Sequence, residues 1–148
     1  MQLVTKHFGT IEIEDKGIID FPEGLPGFED VKKFILLSSQ EEGALFQWLQ
    51  SVDKPDLAFV VINPMAFKPD YDIDIPDDEV AILEINDLSK VLVFTIVVVP
   101  EDITKMTANL MAPIIINTVT NKAKQVVVEK SGYKTRHYIL DELRRNGG

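Results

Sequence analysis

Between Asp70 and Glu79 the sequence reads DYDIDIPDDE, six carboxylates in ten residues, and the wider segment 69–89 holds eight acidic residues and no basic one. Carboxylates this dense serve three kinds of chemistry: coordination of a hard cation, acid–base catalysis by a pair, or docking of a cationic partner. The cation reading fails on spacing. Asp70, Asp72 and Asp74 sit where a calcium loop has its first, third and fifth ligands, but the required sixth-position Gly and twelfth-position Glu are Ile75 and Ala81.

Catalytic signatures are equally thin. The chain has no cysteine and two histidines, His7 and His137, and lacks a Gly-x-Ser-x-Gly elbow, a Gly-rich phosphate loop and a His-Glu-x-x-His motif. No cofactor is expected. The enzymatic alternative is a small acidic β-barrel hydrolase in which two of the 24 acidic residues converge as a carboxylate pair.

Docking remains. In an extended chain Asp70, Asp72 and Asp74 point one way and Tyr71, Ile73 and Ile75 the other. Same-face neighbours then lie about 6.6–6.8 Å apart, two strand rises, inside the ~8 Å Debye length of physiological salt, so they repel. Two readings account for a row that tolerates this. Asp70, Asp72, Asp74, Asp77, Asp78 and Glu79 form a face for a basic partner, or they are a solvated face balanced by the chain's own basic residues within 122–145.

The second stretch that stands out is Val91–Val99, VLVFTIVVV, closed by Pro100, with Thr95 as its sole polar side chain. It reads as a central strand buried on both faces. The alternative leaves Ile96, Val98, Pro100 and Ile103 as an apolar patch that a partner covers. Phe46, Trp48, Leu49, Phe59, Met65 and Phe67 form an aromatic and thioether mass expected mostly in the core.

The elements that must hold these residues are strands. At 148 residues the chain fits one domain, long enough to bury roughly 68–70% of its unfolded surface. Short segments rich in β-branched and aromatic residues, punctuated by Gly, Pro and Asp, predict strands at Gln2–His7, Thr10–Glu14, Gly17–Phe21, Lys33–Ser38, Leu45–Gln50, Ala58–Asn63, Tyr71–Ile75, Val91–Val99, Met111–Asn117, Gln125–Glu129 and Lys134–Ile139. Asp15-Lys16-Gly17 predicts a hairpin turn, with Gly17 at positive φ. Short helices are expected at Asp77–Glu84, after Pro76, and at Asp141–Arg145, where Asp141 and Arg145 can pair. The chain is all-β, a small barrel or sandwich.

Net charge is −9, which opposes contact with a phosphate backbone, so direct nucleic-acid binding is not expected. No run approaches the ~20 apolar residues of a membrane span. The first residues, MQLVTKHFG, lack the basic and apolar regions of a secretory signal, and a cysteine-free chain suits a reducing compartment, so a cytoplasmic location is expected.

Four phrases in order carry a resemblance: Gly24-Leu-Pro-Gly-Phe-Glu29; Leu49-Gln-Ser continuing to Ala58-Phe-Val-Val-Ile-Asn-Pro64; Val99-Pro-Glu-Asp102; and Thr107-Ala-Asn-Leu-Met-Ala-Pro-Ile-Ile-Ile-Asn117 followed by Lys124-Gln-Val-Val127. Over residues 2–139 the chain resembles the flagellar assembly factor FliW family. The resemblance implies a small antiparallel β-barrel-like domain, which with the one or two short helices expected above gives a domain over residues 1–140 and a tail at 141–148 that the resemblance does not reach. It implies a cytoplasmic protein that is not an enzyme. Such a protein binds flagellin and, when flagellin is scarce, binds CsrA, a basic RNA-binding translational repressor, away from its RNA surface, relieving repression of flagellin translation. Combining the two lines assigns the acidic face to CsrA and the Ile96, Val98, Pro100, Ile103 patch to flagellin, or to both partners. Phe8, Phe28, Asn109 and Asn117 lie in or near these phrases, with turn, core and contact roles all open.

Overall fold

The computed structural model describes residues 1–38, 45–128 and 131–146. Its strands are β1 (Gln2–Thr5), β2 (Gly9–Glu12), β3 (Ile18–Asp20), β4 (Lys33–Ser38), β5 (Phe46–Ser51), β6 (Ala58–Ile62), β7 (Val91–Val98), β8 (Thr107–Ala108), β9 (Ile114–Asn117), β10 (Lys122–Gln125) and β11 (His137–Tyr138), followed by one helix, α1 (Ile139–Asn146). β3 to β7 pair antiparallel in chain order, β9 and β10 form a hairpin, β10 meets β3, and β9 meets β7. That circuit closes a seven-strand barrel. One seam, β10 on β3, is parallel and consists of the pair Lys122–Asp20. β8 and β11 extend the sheet from the far end of β7.

Alternation explains why the ring closes on a core. Phe34, Leu49, Val61, Phe94, Ile114 and Ile116 project inward from successive strands and are buried against Phe21 and Leu25. Each such side chain contributes roughly 1.5–3 kcal/mol by leaving water. Outside the barrel, three satellite cores cover the outward faces. The β1–β2 hairpin sets Leu3 and Ile13 on Ile35. Phe67, Tyr71 and Ile139 cover Ile62, Val97 and Ala108. Leu83, with Ile73 and Ile75 beside it, covers Ile115, Val126 and Val128. The strandless stretch from Asn63 to Lys90 is thus a strap around the barrel wall.

Gly24 fixes the entry to that core. Its φ is +68°, and a Cβ there would lie 2.6 Å from the Glu29 Cα, so the turn ending at Glu29 admits no side chain.

The aromatic group divides: Leu49 and Phe67 are buried, Phe46, Trp48 and Phe59 half-buried, and Met65 exposed. Trp48 is covered by the hairpin tip, with His7 stacked at 4.9 Å and Phe8 edge-on at 5.8 Å between centroids.

Several expectations are corrected. Tyr71–Ile75 is not a strand: burial alternates along it, yet no neighbour supplies a ladder. Asp77–Glu84 is not a helix but two single 3-10 turns, Asp77–Glu79 and Ala81–Leu83, ended by Glu84 at φ +55°. Helices this short are marginal alone, and burial of Leu83 dictates the course instead. Gly17 is not at positive φ, and β2 pairs with β1 rather than turning back on β3. The strand placed at Gln125–Glu129 ends at Gln125, with Glu129 outside the described residues. β9 begins three residues later than Met111, and β8 was unforeseen. The second helix is real but begins at Ile139, two residues before the expected Asp141. Arg145 pairs with Glu142 at 3.7 Å rather than with Asp141.

Candidate protein-docking surfaces

The acidic strap is held at both ends and left open in the middle. At its start, the buried Tyr71 hydroxyl donates to the Leu110 carbonyl at 2.7 Å, and its ring lies 4.7 Å from that of Tyr133. The Tyr133 hydroxyl accepts from the Asp72 backbone N–H at 3.0 Å. Burial, with a further contribution from Tyr133, pushes the Tyr71 phenol well above its ordinary range. At the far end, Lys124 Nζ donates to the Glu79 carbonyl at 2.7 Å and meets the Glu79 carboxylate at 3.2 Å and that of Glu23 at 3.4 Å. Burial alone would lower the Lys124 pKa, but the bond to Glu79 and the Glu23 charge raise it. This lysine stays charged and committed.

The six predicted acidic residues divide accordingly. Asp70 is paired with Lys68 at 3.5 Å, and Lys68 in turn with the buried Glu142 at 3.4 Å. Glu79 is paired with Lys124. Asp72, Asp74, Asp77 and Asp78 are exposed and have no ion-pair partner among the described residues. The expected internal neutralisation by residues 122–145 therefore reaches Glu79, and Glu84 through Lys122 at 3.6 Å, but leaves four carboxylates facing solvent. Beside them runs a groove of about 700 Å³ lined by Asp74, Pro76, Glu79, Gln125, Val127, Val128 and Ser131.

The apolar patch divides as well. β7 is buried from Phe94 to Thr95 and at Val97, with the Thr95 hydroxyl donating to the Ile62 carbonyl at 3.2 Å. Ile96 is half-buried and packs against the barrel core, and Pro100 is half-buried. Val98 and Ile103 are open, at 64% and 62% exposure. Val98 lies opposite Thr107, which lies opposite Tyr138, so exposed Val98 and Tyr138 flank Thr107 where the ring gives way to the β8–β11 extension. The strand is buried at its middle, while Leu92 near its start and Val98 at its end are exposed.

Sequence reasoning missed Tyr133, Lys124 and the edge at Gln125 and Val127. Lys124 had a signal, since it heads one of the family-like phrases; Tyr133 had none, because its partner is 61 residues away. Asn109 proves to cap a turn, and Asn117, at the end of β9, ties the strap to the barrel. Asn109 Oδ1 accepts from the Ala112 N–H, and buried Asn117 donates to the Leu83 carbonyl and accepts from the Val119 N–H.

The fold and its surfaces define a small closed β-barrel bearing an acidic strap and an apolar rim. Among the described residues no group of three or more His, Asp or Glu is placed to hold a metal ion, and no helix is long and apolar enough to cross a membrane. The family model described as FliW protein matches residues 2–139. Flagellar assembly factor FliW of Thermoanaerobacter pseudethanolicus is 46% identical over 144 residues, covering 97% of this chain and 96% of that protein. The Alkaliphilus metalliredigens protein of the same name is 49% identical over 145 residues, covering 98% and 90%. A crystal structure of the flagellar assembly factor FliW superposes with a TM-score of 0.87 at 39% identity, covering 94% of this chain and 96% of that one. The chain belongs to the FliW family of flagellar assembly factors. These relatives are named for a role in assembly, and none of these findings supports the carboxylate-pair hydrolase.

Proposed function

We propose that this protein is a cytoplasmic regulator that binds flagellin and, when flagellin is scarce, sequesters the repressor CsrA away from its RNA surface, relieving repression of flagellin translation. Family membership supports the general role. The observation that carries the division of labour is the strap: Asp72, Asp74, Asp77 and Asp78 are exposed without ion-pair partners among the described residues, in a segment with no basic residue of its own. A basic RNA-binding protein is the partner such a potential attracts and steers. An amphipathic helix, the form flagellin's terminal segments take, needs apolar contact instead, which Val98, Ile103 and the neighbouring Tyr138 offer.

The test is calorimetric titration with CsrA and, separately, with flagellin at two salt concentrations. CsrA binding is expected to weaken steeply with salt and flagellin binding only slightly. Asp72→Lys with Asp74→Lys should reduce CsrA affinity by at least about tenfold at low salt, each reversal replacing an attraction with a repulsion. Val98→Asp should lose flagellin while the domain stays folded, because that side chain already faces water. CsrA affinity unchanged by the double reversal would remove the acidic face from the mechanism.

A further inference from the structure

The groove beside the strap is bordered by an open strand edge. Val126 and Val128 donate their N–H groups to the carbonyls of Pro113 and Met111, at 2.9 and 2.7 Å, prolonging the β10–β9 ladder beyond Gln125. Backbone groups alternate sides along a strand, so the N–H and C=O of Val127 point from the opposite edge, as do those of Gln125. β3 covers that edge only at Lys122 and leaves it after Asp20, where Phe21 bonds Lys32 and Pro22 has no N–H to give. Across the groove, the backbone from Ile73 to Ile75 makes no hydrogen bond among the described residues. Two extended stretches therefore flank the groove with donors and acceptors unused among the described residues on both.

We propose that this groove receives an extended basic segment of the partner protein as an added β-strand, paired with the backbone at Gln125 and Val127. The proposal deepens the acidic-face reading and rests on it for the partner's charge. Main-chain pairing supplies affinity in this mode, and side chains at alternate positions supply selectivity. Here those positions meet two chemistries. Val127, 51% exposed, offers apolar contact, while Asp74 on the wall, with the exposed Asp72, Asp77 and Asp78 near it in sequence, favours Lys or Arg. The groove's own cation, Lys124, is held by Glu23 and Glu79 and does not oppose an incoming one.

The probe is an end-blocked hexapeptide of alternating Lys and Val, compared with two versions N-methylated at the Lys or at the Val positions, with binding followed by fluorescence anisotropy and amide exchange. Expected are slowed exchange at the Gln125 and Val127 amides and at least about a tenfold loss for the methylated set that faces β10. Val127→Pro removes an N–H that makes no hydrogen bond among the described residues and should cost the peptide a similar factor. The methylated peptides test the same bonds on the unaltered protein, so the proposal stays falsifiable if that variant does not fold. No binding, or equal binding by all three peptides, overturns strand addition. If Asp74→Lys abolishes binding while methylation and Val127→Pro do nothing, strand addition fails and the acidic-face reading stands. If Asp72→Lys with Asp74→Lys leaves CsrA affinity intact, that reading fails and takes this proposal with it.

Discussion

Tyr71→Phe separates two contributions of the residue that clamps the start of the acidic strap. The substitution keeps the ring but removes the hydroxyl that donates to the Leu110 carbonyl, which belongs to a fully buried residue. Losing the bond and leaving that acceptor unsatisfied costs about 1–2 kcal/mol. For a chain of this size that lowers Tm by about 2–8 °C near neutral pH. The sign of the pH dependence comes from the raised phenol pKa. Folding favours the neutral form, so the contribution is full below the unfolded value of about 10 and declines above it, where the unfolded chain ionises and the folded one resists. Wild type therefore loses up to about 1.4 kcal/mol per pH unit above 10 from this group, and the Phe variant loses none of it. Melting curves followed by circular dichroism at pH 8 and pH 11 test this. The penalty of the substitution should be several degrees at pH 8 and should shrink or vanish at pH 11. An equal penalty at both values would show that Tyr71 does not titrate as a buried phenol and would refute the reasoning.

Two further substitutions probe the frame. Gly24→Ala should destabilise by at least about 3 kcal/mol in urea titration, combining left-handed backbone cost with a backbone clash. Gly27→Ala, at φ +86° with nothing nearby, should cost only about 1–2 kcal/mol. Glu142→Gln should cost about 1–2 kcal/mol, below the usual figure for breaking a buried pair because Lys68 keeps Asp70 and Arg145 is largely exposed. Its signature is faster amide exchange confined to α1. Burial lowers the Lys68 pKa, but Glu142 and Asp70 together raise it. The lysine's contribution is thus complete below about pH 10.4, as far as its own titration goes, and fades as pH rises through the folded value.

The barrel strands were legible because their alternation coincides with pairing, as at Lys33–Ser38, whose limits match the prediction. Tyr71–Ile75 has the same period without a ladder. Alternation reports that one side of an extended chain is buried, and here the buried side faces a barrel wall rather than an adjacent strand. The 3-10 turns were misread for a related reason: Pro76 and three acids favour a helical start, but the chain beyond Glu79 must lay Leu83 on the barrel within one turn. β8 is two residues long, too short for any period to show, while the strand expected at Lys134–Ile139 is present but pairs only at His137 and Tyr138 before Ile139 starts the helix. At the candidate surfaces, charge and exposure were readable at Asp72 and Asp74, whereas Val98 is exposed in a stretch that reads first as buried on both faces. Which carboxylates are neutralised was not readable, because that depends on Lys68 and Lys124 reaching across the fold.

The single-pair seam between β10 and β3 has a kinetic meaning. Every other junction of the ring joins strands within about thirty residues of one another, so hairpins from β3 to β7 and from β9 to β10 can form from local encounters. Closing the ring requires Asp20 to find Lys122 across roughly a hundred residues of chain, and the loop-closure entropy of that step is recovered by one pair of residues and the core it seals. Contact order therefore places ring closure late on the folding route, with an open, curled sheet before it, and makes the same seam the first to part when the native barrel breathes.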